Sequence, residues 1–116
     1  MPIKRLNVFD VEVSYSVFGQ GNPLLFIHGN SLNKDSMEKI YEPFFSEKNE
    51  FQRIYIDLPS MGDSSSSPKI QDSDTMLEYL LKFIEELPIK ETLTLFGHSY
   101  GGYLCIGIMH KLQEKN

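Results

Sequence analysis

The segment of this chain best suited to chemistry is Gly97-His98-Ser99-Tyr100-Gly101, followed by Gly102. It fits the pattern G-x-S-x-G, which carries chemical meaning where a strand precedes it and a helix follows. A serine on so sharp a turn is held in strained backbone angles. The residues two before and two after it must then lack side chains so that neighbouring segments can approach, and Gly97 and Gly101 meet that need. Such a turn presents the Ser99 hydroxyl at a helix N-terminus, where backbone N–H groups and the helix dipole favour developing negative charge. Ser99 is therefore the candidate nucleophile for attack on an acyl carbon. Gly-Ser-Gly clusters also make ordinary turns, and a helix N-terminus can cradle phosphate. For the latter this sequence lacks both the Walker lysine and the G-x-G-x-x-G spacing.

The elements that must position Ser99 are legible as changes of hydrophobic period. Val11, Val13, Tyr15 and Val17 alternate with Glu12, Ser14 and Ser16, which predicts a strand, with Asp10 as the turn of an opening hairpin. Residues 24–27 are apolar without interruption, as in a strand covered on both faces, and end at His28-Gly29-Asn30. Met37, Ile40, Tyr41, Phe44 and Phe45 recur at helical spacing after Ser36 as cap, and Pro43 must shorten or kink that helix. A second covered strand over 51–56 ends at Asp57-Leu58-Pro59. The serine run of 64–67 before Pro68 reads as a surface loop separating two structured halves. Thr75-Met76-Leu77-Glu78 has capping-box spacing and opens a helix with an apolar stripe from Met76 to Leu87, stopped by Pro88. A last strand occupies 93–96, and 103–110 is apolar nearly all round, which predicts a buried helix. The alternation implies an α/β fold: an N-terminal β-hairpin followed by parallel strands with helices on both faces. Strand carboxyl ends are where such sheets place ligands, and the three turns all lie there.

With these turns in order, the chain resembles the α/β-hydrolase superfamily in its cofactor-free, serine-nucleophile branch. Phe26-Ile27-His28-Gly29-Asn30 resembles the family's His-Gly turn, and residues 55–64 resemble its Asp-x-Pro-Gly-x-Gly-x-Ser segment. Residues 95–102 match its nucleophile elbow. The resemblance implies an oxyanion hole built from the backbone N–H groups of Asn30 and Tyr100. It gives His28 and Gly29, and Gly97, His98, Gly101 and Gly102, structural roles in their turns. Ser60 stands where the family usually has glycine, at a cost of ~1 kcal/mol if that position needs positive φ.

The family order of the triad, serine, then acid, then histidine, puts the acid and the base after Ser99. Only His110 and Glu114 lie there as candidates, and His110 is roughly 15 Å along the elbow helix from Ser99, too far to take its proton. His98 adjoins Ser99, but adjacent side chains at a strand end point to opposite sides. Asp57, Asp63, Asp72 and Asp74 read as strand-end, loop and helix-cap groups. Asp72-Ser73-Asp74 starts like a calcium loop but lacks its glycine and later ligands, so no metal is expected. A full fold of this kind needs roughly 185 residues. The 116 here are thus expected to form the N-terminal portion of one α/β-hydrolase domain, truncated after the elbow helix.

Composition narrows the partners. Net charge is −5 with a pI near 5.1, which disfavours nucleic acid and anionic membrane surfaces and leaves a small-molecule acyl substrate open. No run nears the ~18 apolar residues of a membrane span, and no apolar leader follows Met1. The single cysteine, Cys105, excludes an internal disulfide and fits a cytoplasmic setting. Two functions compete. One is hydrolysis of an ester, thioester or similar acyl bond by Ser99 without a cofactor. The other is a non-catalytic binding module or pseudoenzyme, whose truncated sheet pairs with a partner or drives self-association. Dehalogenase or epoxide-hydrolase chemistry would need an aspartate where Ser99 stands.

Overall fold

The computed structural model describes residues 3–45, 50–89 and 91–114, the Glu114 side chain excepted. Met1 and Pro2, on which part of the leader argument rests, lie outside the described residues. The strands are β1 (Ile3–Val8), β2 (Val11–Phe18), β3 (Asn22–Ile27), β4 (Phe51–Ile56) and β5 (Thr94–Gly97). The helices are α1 (Lys34–Phe45), α2 (Ser73–Glu86) and α3 (Tyr100–Glu114). They form one sheet in the order β1-β2-β4-β3-β5. β1 and β2 make the antiparallel hairpin, β2 pairs antiparallel with β4, and β3 runs parallel to both β4 and β5. The strands and helices alternate as the periodicity predicts.

Alternate residues of the central strands feed two cores. Leu25, Ile27, Ile54 and Ile56 face α2 and α3, where they meet Leu80, Phe83, Leu104 and Ile108. Leu24, Phe26 and Tyr55 face α1 and meet Met37. Burial on both faces explains why β3 and β4 show no alternation of polarity. On the α1 side, the in-register residues Tyr55, Phe26 and Phe96 stack as a three-ring ladder, with centroids 4.6 and 4.8 Å apart. This ladder ties β5 to the sheet at the level of the elbow.

Several local expectations need correction. Helix α1 starts two residues before Ser36: Asn33 is its cap, accepting the Ser36 N–H at 3.0 Å, while Ser36 Oγ accepts the Asn33 N–H at 3.3 Å. It ends two residues past Pro43. Helix α2 is capped by Asp72 rather than Thr75, whose N–H donates to the Asp72 carboxylate at 2.8 Å. An aspartate oxygen is the better acceptor there and its charge suits the helix dipole. The serine run is no free loop. Ser64 Oγ donates to the Asp57 carbonyl and accepts the Ser14 N–H, and Ser65 Oγ accepts the Glu12 N–H. It stitches the β4 end to β2 instead of separating halves.

Helix α3 is buried on one side only. Leu104 and Ile108 are covered, but Tyr103, Ile106 and Met109 are 62%, 60% and 55% exposed. β5 is an outer strand of the sheet, paired on one side only among the described residues. Open edges and apolar patches both recruit other chains. Residues 1–116 expressed alone are expected to elute above the 13.4 kDa monomer in size-exclusion chromatography with light scattering. Tyr103→Lys with Ile106→Lys should lower the apparent mass, and a sharp parent monomer would contradict this.

Candidate active site

Ser99 sits between β5 and α3 with φ 58°, in the left-handed region that side chains disfavour. Two glycines make the turn possible. A Cβ on Gly101 would lie 2.1 Å from the Ile27 carbonyl oxygen, and one on Gly97 would lie 2.4 Å from the Gly101 carbonyl. α3 therefore starts almost in contact with the end of β3. Backbone bonds close the turn: His98 N–H to Ile27 O at 3.1 Å, Gly101 N–H to His98 O at 2.9 Å, and Tyr103 N–H to Ser99 O at 3.1 Å. Gly102 is different, because a Cβ there would meet nothing nearer than 3.5 Å. Its place in the motif has no steric cause in this fold.

The β3 turn lies directly beside the elbow. His98 Nδ1 and its carbonyl come within 3.2 Å of where a Gly29 Cβ would be, so Gly29 is the space into which His98 fits. His28 is fully buried. Its Nε2 accepts the Leu58 N–H at 3.0 Å, which leaves Nδ1 protonated and donating to the Gly29 carbonyl at 2.7 Å. Burial pushes the imidazole below its ordinary pKa, against the opposing pulls of the Gly29 carbonyl and Asp57. Both nitrogens are occupied, so His28 is a neutral brace between the β3 and β4 turns and has no lone pair for Ser99.

The β4 turn is organised around the buried Asp57. Its carboxylate accepts the Lys34 and Asp63 N–H groups at 2.7 and 3.0 Å and faces the Lys34 ammonium at 3.1 Å. Lys34 is itself only 2% exposed and also reaches Asp63 at 3.3 Å. Burial drags the lysine pKa down, but Asp57, Asp63 and Asp35 outweigh it and leave the ammonium above its ordinary value. Sequence reasoning missed Lys34. The signal was a cation in the first turn of a helix, where the dipole disfavours it unless an acid lies opposite. Ser60 adopts φ 72° as the glycine pattern of that turn requires, and Gly62 at φ 54° leaves room for Asp57, whose Oδ1 would be 2.2 Å from a Cβ there.

Tyr100 and Asn30 are the two backbone donors that the resemblance implies. Tyr100 opens α3, so its N–H is one of the unpaired groups of a helix start. Asn30 follows Gly29, and Asn30 and Tyr100 line the same groove. Among the described residues, nothing accepts from or donates to the Ser99 hydroxyl. His110 is exposed, eleven positions along α3. Cys105 is buried within α3, and burial raises its thiol pKa, which disfavours the thiolate.

A left-handed serine between two sterically required glycines, facing a His-Gly turn, is the elbow geometry that the motif implies. The sequence profile of the alpha/beta hydrolase fold family matches residues 22–112. The chain belongs to the alpha/beta hydrolase family. It is 34% identical over 99 residues to a protein of Mycobacterium phage D29 named for non-heme haloperoxidase activity, covering 84% of this chain and 34% of that protein. Against the non-heme chloroperoxidase CPO-A1 of Kitasatospora aureofaciens the identity is 32%, covering 79% and 32% of the two chains. The crystal structure of an alpha/beta superfamily hydrolase from Oenococcus oeni superposes with a TM-score of 0.82 at 40% identity, covering 96% of this chain and 40% of that one. This chain spans about a third of the length of the curated relatives it matches.

Gly101→Ala is expected to cost about 3 kcal/mol or more, because the Ile27 carbonyl cannot retreat from the sheet. Gly102→Ala should be neutral or gain up to ~1 kcal/mol from helix propensity. Urea unfolding of the two variants in the Tyr103→Lys/Ile106→Lys background measures the contrast. His28 supplies a pH test. Its depressed pKa means that the unfolded chain binds the proton more readily, so its contribution is present above about pH 6.5 and lost as pH falls below it. His28→Leu should flatten that acid loss while costing about 1–3 kcal/mol for the orphaned Leu58 N–H. The same unfolding series run at several pH values reads both effects.

Proposed function

We propose that this chain is the nucleophile-bearing part of a serine hydrolase that cleaves an ester, thioester or similar acyl bond. The observation that carries the reading is Ser99 at φ 58°, between Gly97 and Gly101 and beside the Asn30 turn. Ser99 Oγ attacks the acyl carbon, and the carbonyl oxygen becomes an oxyanion received by the Asn30 and Tyr100 N–H groups. Collapse forms the acyl-serine and breaks the bond to the alcohol or thiol, which departs with the proton. Water then attacks the acyl-serine, releasing the carboxylic acid and returning the proton to Ser99. No cofactor enters these steps.

Both proton transfers need a base. His28 has its two nitrogens engaged, His98 sits against Gly29, and His110 is remote along α3. In this reading the histidine and its acid come from outside residues 1–116, in line with the relatives' greater length. The 116 residues alone are then without turnover. The apolar-core Cys105, kept as a free thiol, suits a cytoplasmic enzyme. A second reading, a non-catalytic module that pairs through β5, draws on the open edge and the outward face of α3.

The natural-length gene product should react with a fluorophosphonate probe, and Ser99→Ala should abolish labelling with little loss of fold. Labelling that survives the substitution would overturn the assignment. Asn30→Ala should keep at least about a tenth of the esterase activity, since only its N–H is used, whereas losing a true oxyanion donor costs about 10²–10³-fold. A reactive serine also excludes the non-catalytic reading.

A further inference from the structure

The end of α2 remote from the elbow borders a second cavity, of about 190 Å³. Val17, Ile54, Leu87, Pro88 and Ile89 give it apolar walls, and Lys4, Tyr15 and Gln52 line it from three adjacent strands. It is separate from the Ser99 turn. Ser73 at the start of α2 lies 3.2 Å from the Tyr100 hydroxyl, whereas Leu87 caps the other end, and 14 helical residues at ~1.5 Å each put about 20 Å between them. An apolar cavity of about 150 Å³ already admits benzene, so this one has room for a small ring and one polar substituent.

Tyr15 decides the chemistry of that substituent. Its ring packs edge-on against Phe83 with centroids 5.3 Å apart, it is only 9% exposed, and it lines the cavity. Burial alone raises its phenol above the ordinary pKa, with no neighbouring charge or hydrogen bond contributing. A buried donor without a partner in the fold is one that a ligand in the cavity can satisfy. Lys4 stands directly opposite Tyr15 in the β1–β2 register, and among the described residues it is the one charged side chain lining the cavity. The acids at that end of α2, Glu85 and Glu86, are paired with Lys82 at 3.7 and 3.1 Å.

We infer that this cavity binds a small organic carboxylate, whose apolar body lies against Val17, Ile54 and Leu87 while its carboxylate accepts from the Tyr15 hydroxyl and faces the Lys4 ammonium. An inorganic anion would leave the apolar walls unused, and a hydrocarbon would leave the phenol unpartnered. A monocarboxylate on a ring or short chain meets both demands. The site does not depend on Ser99 or on the serine-hydrolase reading.

The test titrates the natural-length gene product with benzoate, and with the isosteric neutral benzamide, by isothermal calorimetry. Benzoate is expected to bind with a Kd of about 1 mM or tighter, and benzamide at least about fivefold more weakly. Tyr15→Phe keeps the ring against Phe83 and removes only the oxygen, so it should weaken benzoate about tenfold or more. Lys4→Glu, at an exposed position, should weaken it at least about threefold, while Ile106→Lys on the outer face of α3 should leave it unchanged. Absence of binding at about 10 mM benzoate overturns the site, as does binding that both Tyr15→Phe and Lys4→Glu leave intact. Benzamide bound as tightly as benzoate overturns the carboxylate as its ligand.

Discussion

The geometry at this site depends on how closely α3 approaches the end of β3. With the Ile27 carbonyl oxygen only 2.1 Å from where a Gly101 Cβ would stand, any side chain at position 101 would push the helix off the sheet. The approach leaves Ser99 too few residues to turn in, and its backbone enters the left-handed region at a cost of about 1–2 kcal/mol. Three backbone hydrogen bonds around the turn and the burial of Leu104 and Ile108 offset that strain. The strained residue is the one proposed as the nucleophile, and strain persists in folded proteins where surrounding structure over-determines it.

A second network fixes what faces the elbow. His28 joins the β3 turn to the Leu58 N–H, Asp57 holds Lys34 at the start of α1, and Ser64 ties the Asp57 carbonyl to β2. The buried charges of Lys34 and Asp57 bring little net stability, because desolvation consumes most of their attraction. Their effect is positional. The ammonium has carboxylates at 3.1, 3.3 and 3.7 Å, so the starts of α1 and the β4 turn cannot shift independently. Asn30 and Met61 from these turns line two adjoining clefts.

The sheet and the elbow were legible in the sequence because each rests on a local rule. Continuous apolar runs marked β3 and β4, and G-x-S-x-G marked a turn that only glycines can complete. At Ser60 the glycine pattern of its neighbours raised positive φ only as a condition, which the observed φ of 72° meets. Long-range pairing was not legible. Asp72 displaced Thr75 as the α2 cap by one aspartate oxygen reaching an N–H three residues on. The serine run looked like a solvated loop, because nothing local shows that its hydroxyls meet the backbone of β2. Periodicity likewise made α3 look buried all round, whereas the sheet ends at β5 and leaves Tyr103, Ile106 and Met109 uncovered.

The central claim is that the elbow aims Ser99 at an acyl carbon whose oxygen is received by the N–H groups of Asn30 and Tyr100. The most direct measurement is a crystal structure of the natural-length protein after reaction with a phosphonofluoridate. The account predicts phosphorus on Ser99 Oγ, with the phosphoryl oxygen about 2.7–3.1 Å from both backbone nitrogens. An adduct on another residue, or a phosphoryl oxygen turned away from Asn30 and Tyr100, would contradict it.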